Sequence, residues 1–332
     1  MSPGLLIRLR PVGPWRIGPD SGDRDRVDRI YHSDSLYSAV TSAMSRLDML
    51  EQWLEVTARA SEPAVRFSSC FPYQGDTLLV VPPRNLWPPP PSSKVRWKGA
   101  RFVPLAVVES LAAGKGLSED GWVIDGPSEC LLPFATPAVP GPFRVSVRSS
   151  AAVDRDGESV SPHSTACLEF TPACGLWCTA QFSTDADRDQ WTAPITAAFR
   201  LLSDSGFGGK RSQGWGRADL PDIIASEEAL PFNTGEANGA YWLLSLFHPA
   251  ATDMVEWSQG NYTVTTRGGR VESDARWGDP KKQTRMVTEG SVLVASAQPR
   301  GSVADVAPEG FAHPVYRSGF ALTIPIPLRT SS

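Results

Sequence analysis

The 332-residue chain contains no run of about 18 apolar residues, the minimum for a bilayer-spanning helix. Its first residues, MSPGLLIRLR, lack the apolar centre of a secretory signal. Cysteine is scarce. The five present (Cys70, Cys130, Cys167, Cys174 and Cys178) are an odd number in no regular framework, which argues against a disulfide scaffold. A cytoplasmic protein with reduced thiols and no membrane association is therefore expected. Basic charge is not in excess either. A formal net charge of −4 excludes the Lys- and Arg-coated surface of a generic nucleic-acid binder.

Catalytic and cofactor motifs are missing as well. No G-x-S-x-G elbow occurs, and no acidic cluster is spaced for two-metal catalysis. No C-x-x-C pair exists. The closest approach to a zinc set is His163, Cys167, Cys174 and Cys178, but Cys178 falls inside an expected strand. Four strand residues span about 13 Å, whereas ligands of one zinc sit within roughly 4 Å of each other. No metal, no cofactor, no small-molecule substrate and no catalytic residue are expected. Of the four histidines, His32 is the one placed for chemistry, beside Tyr31 and Ser33 where a helix begins. An imidazole there could act on an RNA 2′-hydroxyl; it could equally contact phosphate or complete the helix start.

Apolar residues make up 41% of the chain, with 11 Trp, enough to build real cores; at this length two domains are expected. Abundant Pro (30) and Gly (28) favour turns and strands over helical bundles. GLLIRLRPVG reads as a strand that Pro11 ends, and HSDSLYSAVTSAMSRLDMLEQWL (32–54) as one helix with Ser33 at its N-cap. Leu36, Val40, Ala43, Leu47, Leu50 and Leu54 give that helix an apolar stripe. AVRFSSC (64–70) and DTLLVVPP (76–83) flank PYQG as a hairpin, while the proline-rich 85–97 stretch is unlike any regular element. PFRVSVR (142–148) and GLWCTAQF (175–182) alternate as strands around a protruding hairpin. WTAPITAAFRLL (191–202) reads as a helix with Pro194 in its first turn, and GRADLPDI returns as a strand.

This order, strand, helix, hairpin, insertion, helix, strand, is that of a ferredoxin-like (RRM-like) α+β fold. We expect one such domain over 1–224, with a thumb-like hairpin at about 142–182. An acidic linker at 225–239 then leads to a smaller, strand-rich, degenerate ferredoxin-like domain over 238–332.

Charge is segregated. Residues 200–217 carry Arg200, Lys210, Arg211 and Arg217 against Asp204, and 261–290 hold six cations against four acids, whereas 219–236 has five acids and no base. Within the first of these stretches lies GFGGKRSQGWGR (206–217). Such a loop exposes backbone N–H groups, allows close backbone approach and adds positive charge, all suited to an anion. It also reads as a long turn between two elements. It is not a Walker loop, since Arg211 stands where Ser or Thr should hold Mg²⁺, and it is not a dinucleotide fingerprint. Nearby Trp15 and Trp215 offer faces for base stacking.

Together these segments resemble the RAMP superfamily of CRISPR-associated RNA-binding proteins. FRLLSDSGFGGKRSQGWGRAD resembles its signature helix and glycine loop. HSDSLYSAVTSAM resembles the first helix of one branch, the subunit that caps the 5′ tag of the guide RNA in type III-A (Csm) effector complexes, the fourth of the Csm proteins. VPGPFRVSVRSSAAVDRDGE resembles that branch's basic strand and thumb, and KKQTRMVTEGSVL and HPVYRSGFALTIPIP its C-terminal segments. The resemblance implies a noncatalytic subunit that holds the tag and bridges a large polymerase-cyclase-like subunit to a backbone subunit. It implies RNA contacts at Trp15, Arg16, His32, Ser33, Arg144, Arg148 and Arg155. Further contacts would come from the loop residues Gly206, Gly208, Gly209, Lys210, Arg211 and Ser212, and from Lys281 and Lys282. Two alternatives stay open: a RAMP endoribonuclease using His32, or the equivalent subunit of another type III complex.

Overall fold

The computed structural model describes residues 3–19, 22–89, 97–153, 160–227, 230, 232, 239–273 and 276–328. Gly4–Leu9 forms β1, with Leu5, Ile7 and Leu9 fully buried on one face as the alternation predicts. The single helix expected over 32–54 is two: α1 (Ser33–Arg46) and α2 (Leu50–Val56). Asp48 between them has φ 57, a left-handed conformation that no right-handed helix continues through. Leu36, Val40 and Ala43 are buried as the stripe requires. Ser33 is the first helical residue, and His32 holds the N-cap position without a side-chain cap bond.

β2 (Val65–Phe67), β3 (Phe71–Gln74) and β4 (Thr77–Val80) shift the expected hairpin. Pro72, Tyr73 and Gln74 lie within β3, and Gly75, at φ 56, helps to make the turn to β4. Residues 97–133 carry elements that the sequence pattern does not signal: β5 (Val103–Pro104), α3 (Leu105–Ala112), β6 (Trp122–Asp125) and β7 (Cys130–Pro133). The protruding hairpin pairs β8 (Phe143–Val153) with β9 (Val160–Phe170) in unbroken register. β10 (Cys174–Phe182) contains both Cys174 and Cys178. α4 runs over Asp185–Ser205, a full turn and more ahead of its expected start. Its cap is Thr184, whose hydroxyl accepts the N–H of Asp187, so Pro194 lies in the helix interior and not its first turn. β11 (Asp222–Ser226) begins later than GRADLPDI suggests.

The remaining strands are β12 (Ala240–Leu243), β13 (Val264–Arg267), β14 (Arg270–Ser273), β15 (Arg276–Pro280) and β16 (Thr284–Val287). They continue with β17 (Val292–Val294), β18 (Gly301–Asp305), β19 (Tyr316–Phe320) and β20 (Thr323–Ile326). The segment GFALTIPI is divided between β19 and β20.

The main sheet has the order β11-β1-β10-β3-β4-β5, with β2 also paired to β10, and every pairing in it is antiparallel. α1 and α4 pack against each other, and α4 also meets β1 and β10. A second sheet runs β17-β12-β20. The two parts share one hydrophobic cluster, in which Leu5, Ile7 and Trp177 are continuous with Trp242, Leu244 and Ile324. Most of the acidic linker lies outside the described residues. No helix among those described is long and apolar enough to cross a membrane.

Candidate nucleic-acid interface

The glycine loop leaves α4 and folds back on the chain's own N-terminal segment. Gly209 N–H donates to the carbonyl of Arg16 at 2.9 Å, and Gly216 N–H to that of Pro14 at 3.0 Å. This explains the glycines. Gly208 has φ 70, and a Cβ there would collide with the carbonyl oxygen of Arg16. Gly216 has φ 80, and a Cβ there would collide with the backbone of Phe207. Gly206, at φ 93, is likewise close, 2.5 Å from the Trp215 carbonyl oxygen at its Cβ position. The close approach these three allow is therefore to the chain itself. Gly209 differs: its Cβ position meets Arg16 at 3.5 Å or beyond.

The loop forms one edge of a groove of about 1010 Å³. α1 supplies one wall through Asp34, Ser38, Thr41, Ser45 and Arg46, and Gly206–Gly209 with Arg211 supply the next. The turn from Arg267 to Val271, Lys281 and the segment from His313 to Arg317 close it from the C-terminal half. Among the described residues Arg46, Arg211, Arg267, Arg270, Lys281 and Arg317 line it, with Asp34 as the one carboxylate. In a chain of net charge −4 that is a concentrated positive field.

Three consecutive residues fasten the groove's two halves. His32 Nδ1 donates to Glu289 Oε1 at 2.7 Å, and His32 Nε2 to Asp28 Oδ2 at 3.1 Å. Ser69 Oγ also donates to Glu289 Oε1. Ser33 Oγ accepts the N–H of Leu246 at 3.0 Å. Asp34 accepts from Arg267 Nη2 at 2.9 Å and Nε at 3.1 Å, and from Arg317 Nη1 at 2.6 Å. Each of these residues is at most 8% exposed, apart from Asp28 at the surface end. Burial alone would push the His32 imidazole down, but Glu289 and Asp28 lift it to about 10, so it is an imidazolium at neutral pH. Burial alone would raise Asp34, but Arg267 and Arg317 hold its carboxyl well below the usual range.

Several expected RNA contacts have other work. Trp15 is buried, its indole stacked on Phe207 at 5.1 Å and its N–H donated to the Arg217 carbonyl, so neither face is open to a base. The Arg16 guanidinium donates to the carbonyls of Asp23, Arg24, Arg26 and Ala166, pegging the 23–26 loop to β9. His32 and Ser33 are spent in the fastening just described, because helix α1 starts one residue earlier than its sequence suggests and turns both inward. Arg144 and Arg148 meet each other on Glu169 in a separate cleft of about 580 Å³ lined by Pro11, Pro14 and Phe143. Arg155 lies outside the described residues. Lys210, at φ 62, opens a short 3₁₀ turn over Arg211–Gln213; Arg211 lines the groove, and Lys210 and Ser212 stand beside it. Lys281 lines the groove and Lys282 is exposed next to it.

Sequence reasoning flagged the basic 261–290 stretch but not Arg267 as a site residue, and it missed Arg46, Arg270 and Arg317. For Arg267 and Arg270 the signal was present in the charge count of 261–290; Arg46 and Arg317 lie outside it, and the pairing with Asp34 had no local signal. Among the described residues no three His, Cys, Asp or Glu side chains are grouped to hold a metal ion.

Residues 236–326 match the model of the family described as CRISPR Csm4 C-terminal domain. No curated protein matches the chain. A chain in the crystal structure of the Csm3–Csm4 subcomplex of the type III-A CRISPR-Cas interference complex is similar at TM-score 0.65 and 15% identity, over 98% of this chain and 100% of that one. A chain in the Csm1–Csm4 cassette with pppApA is similar at TM-score 0.61 and 16% identity, over 99% of this chain and 100% of that one. The cassette with cA4 gives the same TM-score, identity and coverage. At these identities the likeness is one of fold.

Proposed function

On the premise that the chain is Csm4-like, with that family's C-terminal domain and fold, we propose that it is the noncatalytic, tag-holding subunit of a type III-A CRISPR effector complex. It holds the 5′ repeat-derived tag of the guide RNA along the basic groove. It stands between a Csm1-like large subunit and a Csm3-like backbone subunit, the partners named for its structural relatives. The sheet order β11-β1-β10-β2, with α1 and α4 packed together, supports reading the N-terminal part as ferredoxin-like and the part after the acidic linker as a second domain.

The observation that carries the reading is the groove, lined among the described residues by six cations and one carboxylate. Single-stranded RNA needs a charged track more than a basic coat. Against the nuclease reading stands His32, buried and bonded through both ring nitrogens, with its pKa raised to about 10. The test is purification at native expression followed by mass spectrometry of bound protein and RNA. A large subunit, a backbone subunit and RNA beginning with repeat sequence are expected. A chain that purifies alone, or with RNA lacking repeat sequence, would overturn the proposal.

A further inference from the structure

The three residues that fasten the halves of the molecule are not equivalent. His32, Ser33 and their partners Glu289 and Leu246 lie outside the groove, whereas Asp34, Arg267 and Arg317 line it. Two other links, His32 to Glu289 and Ser33 to Leu246, cross the same boundary. Asp34 has a distinct consequence. It draws two guanidiniums, one from the end of β13 and one from β19, onto a single buried carboxylate. Arg317 also donates to the carbonyl of Gly268, which fixes the turn that follows Arg267. Two like charges so close would separate without the anion between them.

We propose that Asp34 is a positioning residue for RNA: it orients Arg267 and Arg317 into a phosphate-binding floor of the groove. The inference rests on the groove reading above. An acidic side chain in an anion-binding groove lowers the local positive charge, so a purely electrostatic groove would bind RNA better without it. Positioning predicts the reverse, and the sign of one mutation separates the two.

The measurement is the affinity of the full chain for labelled single-stranded RNA of the host's CRISPR repeat, across a salt series, for wild type and Asp34→Asn. Positioning predicts about tenfold weaker binding for Asp34→Asn with no steeper salt dependence. Tighter binding with a salt slope steeper by roughly 0.7 would show that the groove senses charge alone, and would overturn the proposal. Unchanged affinity would overturn it too.

Asp34→Asn leaves buried guanidiniums without their counter-charge, so a thermal melt accompanies it. The double variant Asp34→Asn/Arg317→Gln restores the groove's wild-type net charge and removes one of the two guanidiniums that lose their carboxylate. It is expected to stay weak, and recovery of wild-type affinity would count against positioning. Ser69→Ala, which removes the bonds of that hydroxyl to Glu289 and to the Ser33 N–H but leaves every partner of the Asp34 carboxylate in place, is expected to lower the melt and leave RNA affinity unchanged. Should wild type itself show no salt-dependent affinity for repeat RNA, the groove reading falls and this inference with it.

Discussion

The carbonyl oxygen of Arg16 occupies the place that a Cβ on Gly208 would need, while a Cβ on the neighbouring Gly209 would meet Arg16 at 3.5 Å or beyond, ordinary contact distance. The two glycines therefore separate folding from binding. Gly208→Ala combines positive φ with a backbone collision and should cost about 2–3 kcal/mol, read as a lowered thermal midpoint. Gly209→Ala should melt within about 0.5 kcal/mol of wild type. Its retention of guide RNA in the assembled complex then reports on the loop's contact with RNA. Equal loss of stability in both variants would contradict the geometry.

Lys210 and Arg211 follow those glycines, Arg211 in the groove and Lys210 at its edge. Lys210→Ala and Arg211→Ala should each flatten the salt dependence of RNA binding by roughly 0.7, one phosphate's worth on a single strand. Both should weaken unrelated RNA sequences about equally, because phosphates carry no sequence. A change confined to one sequence would mean base readout instead.

His32 gives the fold an alkaline limit. Its pKa is raised from 6.5 to about 10 in the folded state, so its contribution is complete below pH 6.5 and is lost as pH rises toward 10. The carboxylates of Asp28, Asp34 and Glu289 are held below their ordinary range, so their contribution is present above that range and lost as pH falls through it. Between pH 7 and 10 wild type should lose stability relative to His32→Gln, with a slope of at most about 1.4 kcal/mol per pH unit. Parallel melting curves across that window would show that the imidazole is neutral.

Both ring nitrogens of His32 are engaged by Glu289 and Asp28, which motivates the expectation that the protein does not cleave RNA. Purified protein incubated with repeat RNA, with or without Mg²⁺, should leave it intact. Specific cleavage abolished by His32→Ala would reinstate the nuclease.

Trp15 supplies a test of stacking against packing. It is 1% exposed and stacks on Phe207, so Trp15→Ala should cost about 3–5 kcal/mol, as core aromatic truncations do. Trp15→Phe should recover most of that stability and bind RNA as wild type does. A stable Trp15→Ala variant with weakened RNA binding would place the ring at the RNA.

The sequence determined what depends on near neighbours along the chain. Alternation gave β1 and the apolar stripe gave α1, because strand and helix periods are local properties. A protruding hairpin was legible between 142 and 182, though its first strand proved to include the residues read as a separate strand before it. The glycines and cations of 206–217 and the basic excess of 261–290 were legible as counts. Only the tertiary structure decided which charges face a ligand. Arg267 and Arg317 lie 233 and 283 residues from the carboxylate that holds them, and Glu289 lies 257 from His32. No local pattern encodes such a pairing, since a buried ion pair is fixed by how elements pack and not by spacing. For the same reason Trp15 and Arg16, which read as an aromatic and a cation ready for RNA, became core and peg. The glycines were visible from the start, but the backbone they admit proved to be the chain's own, a fact that resides in the φ of Gly208 and the position of one carbonyl.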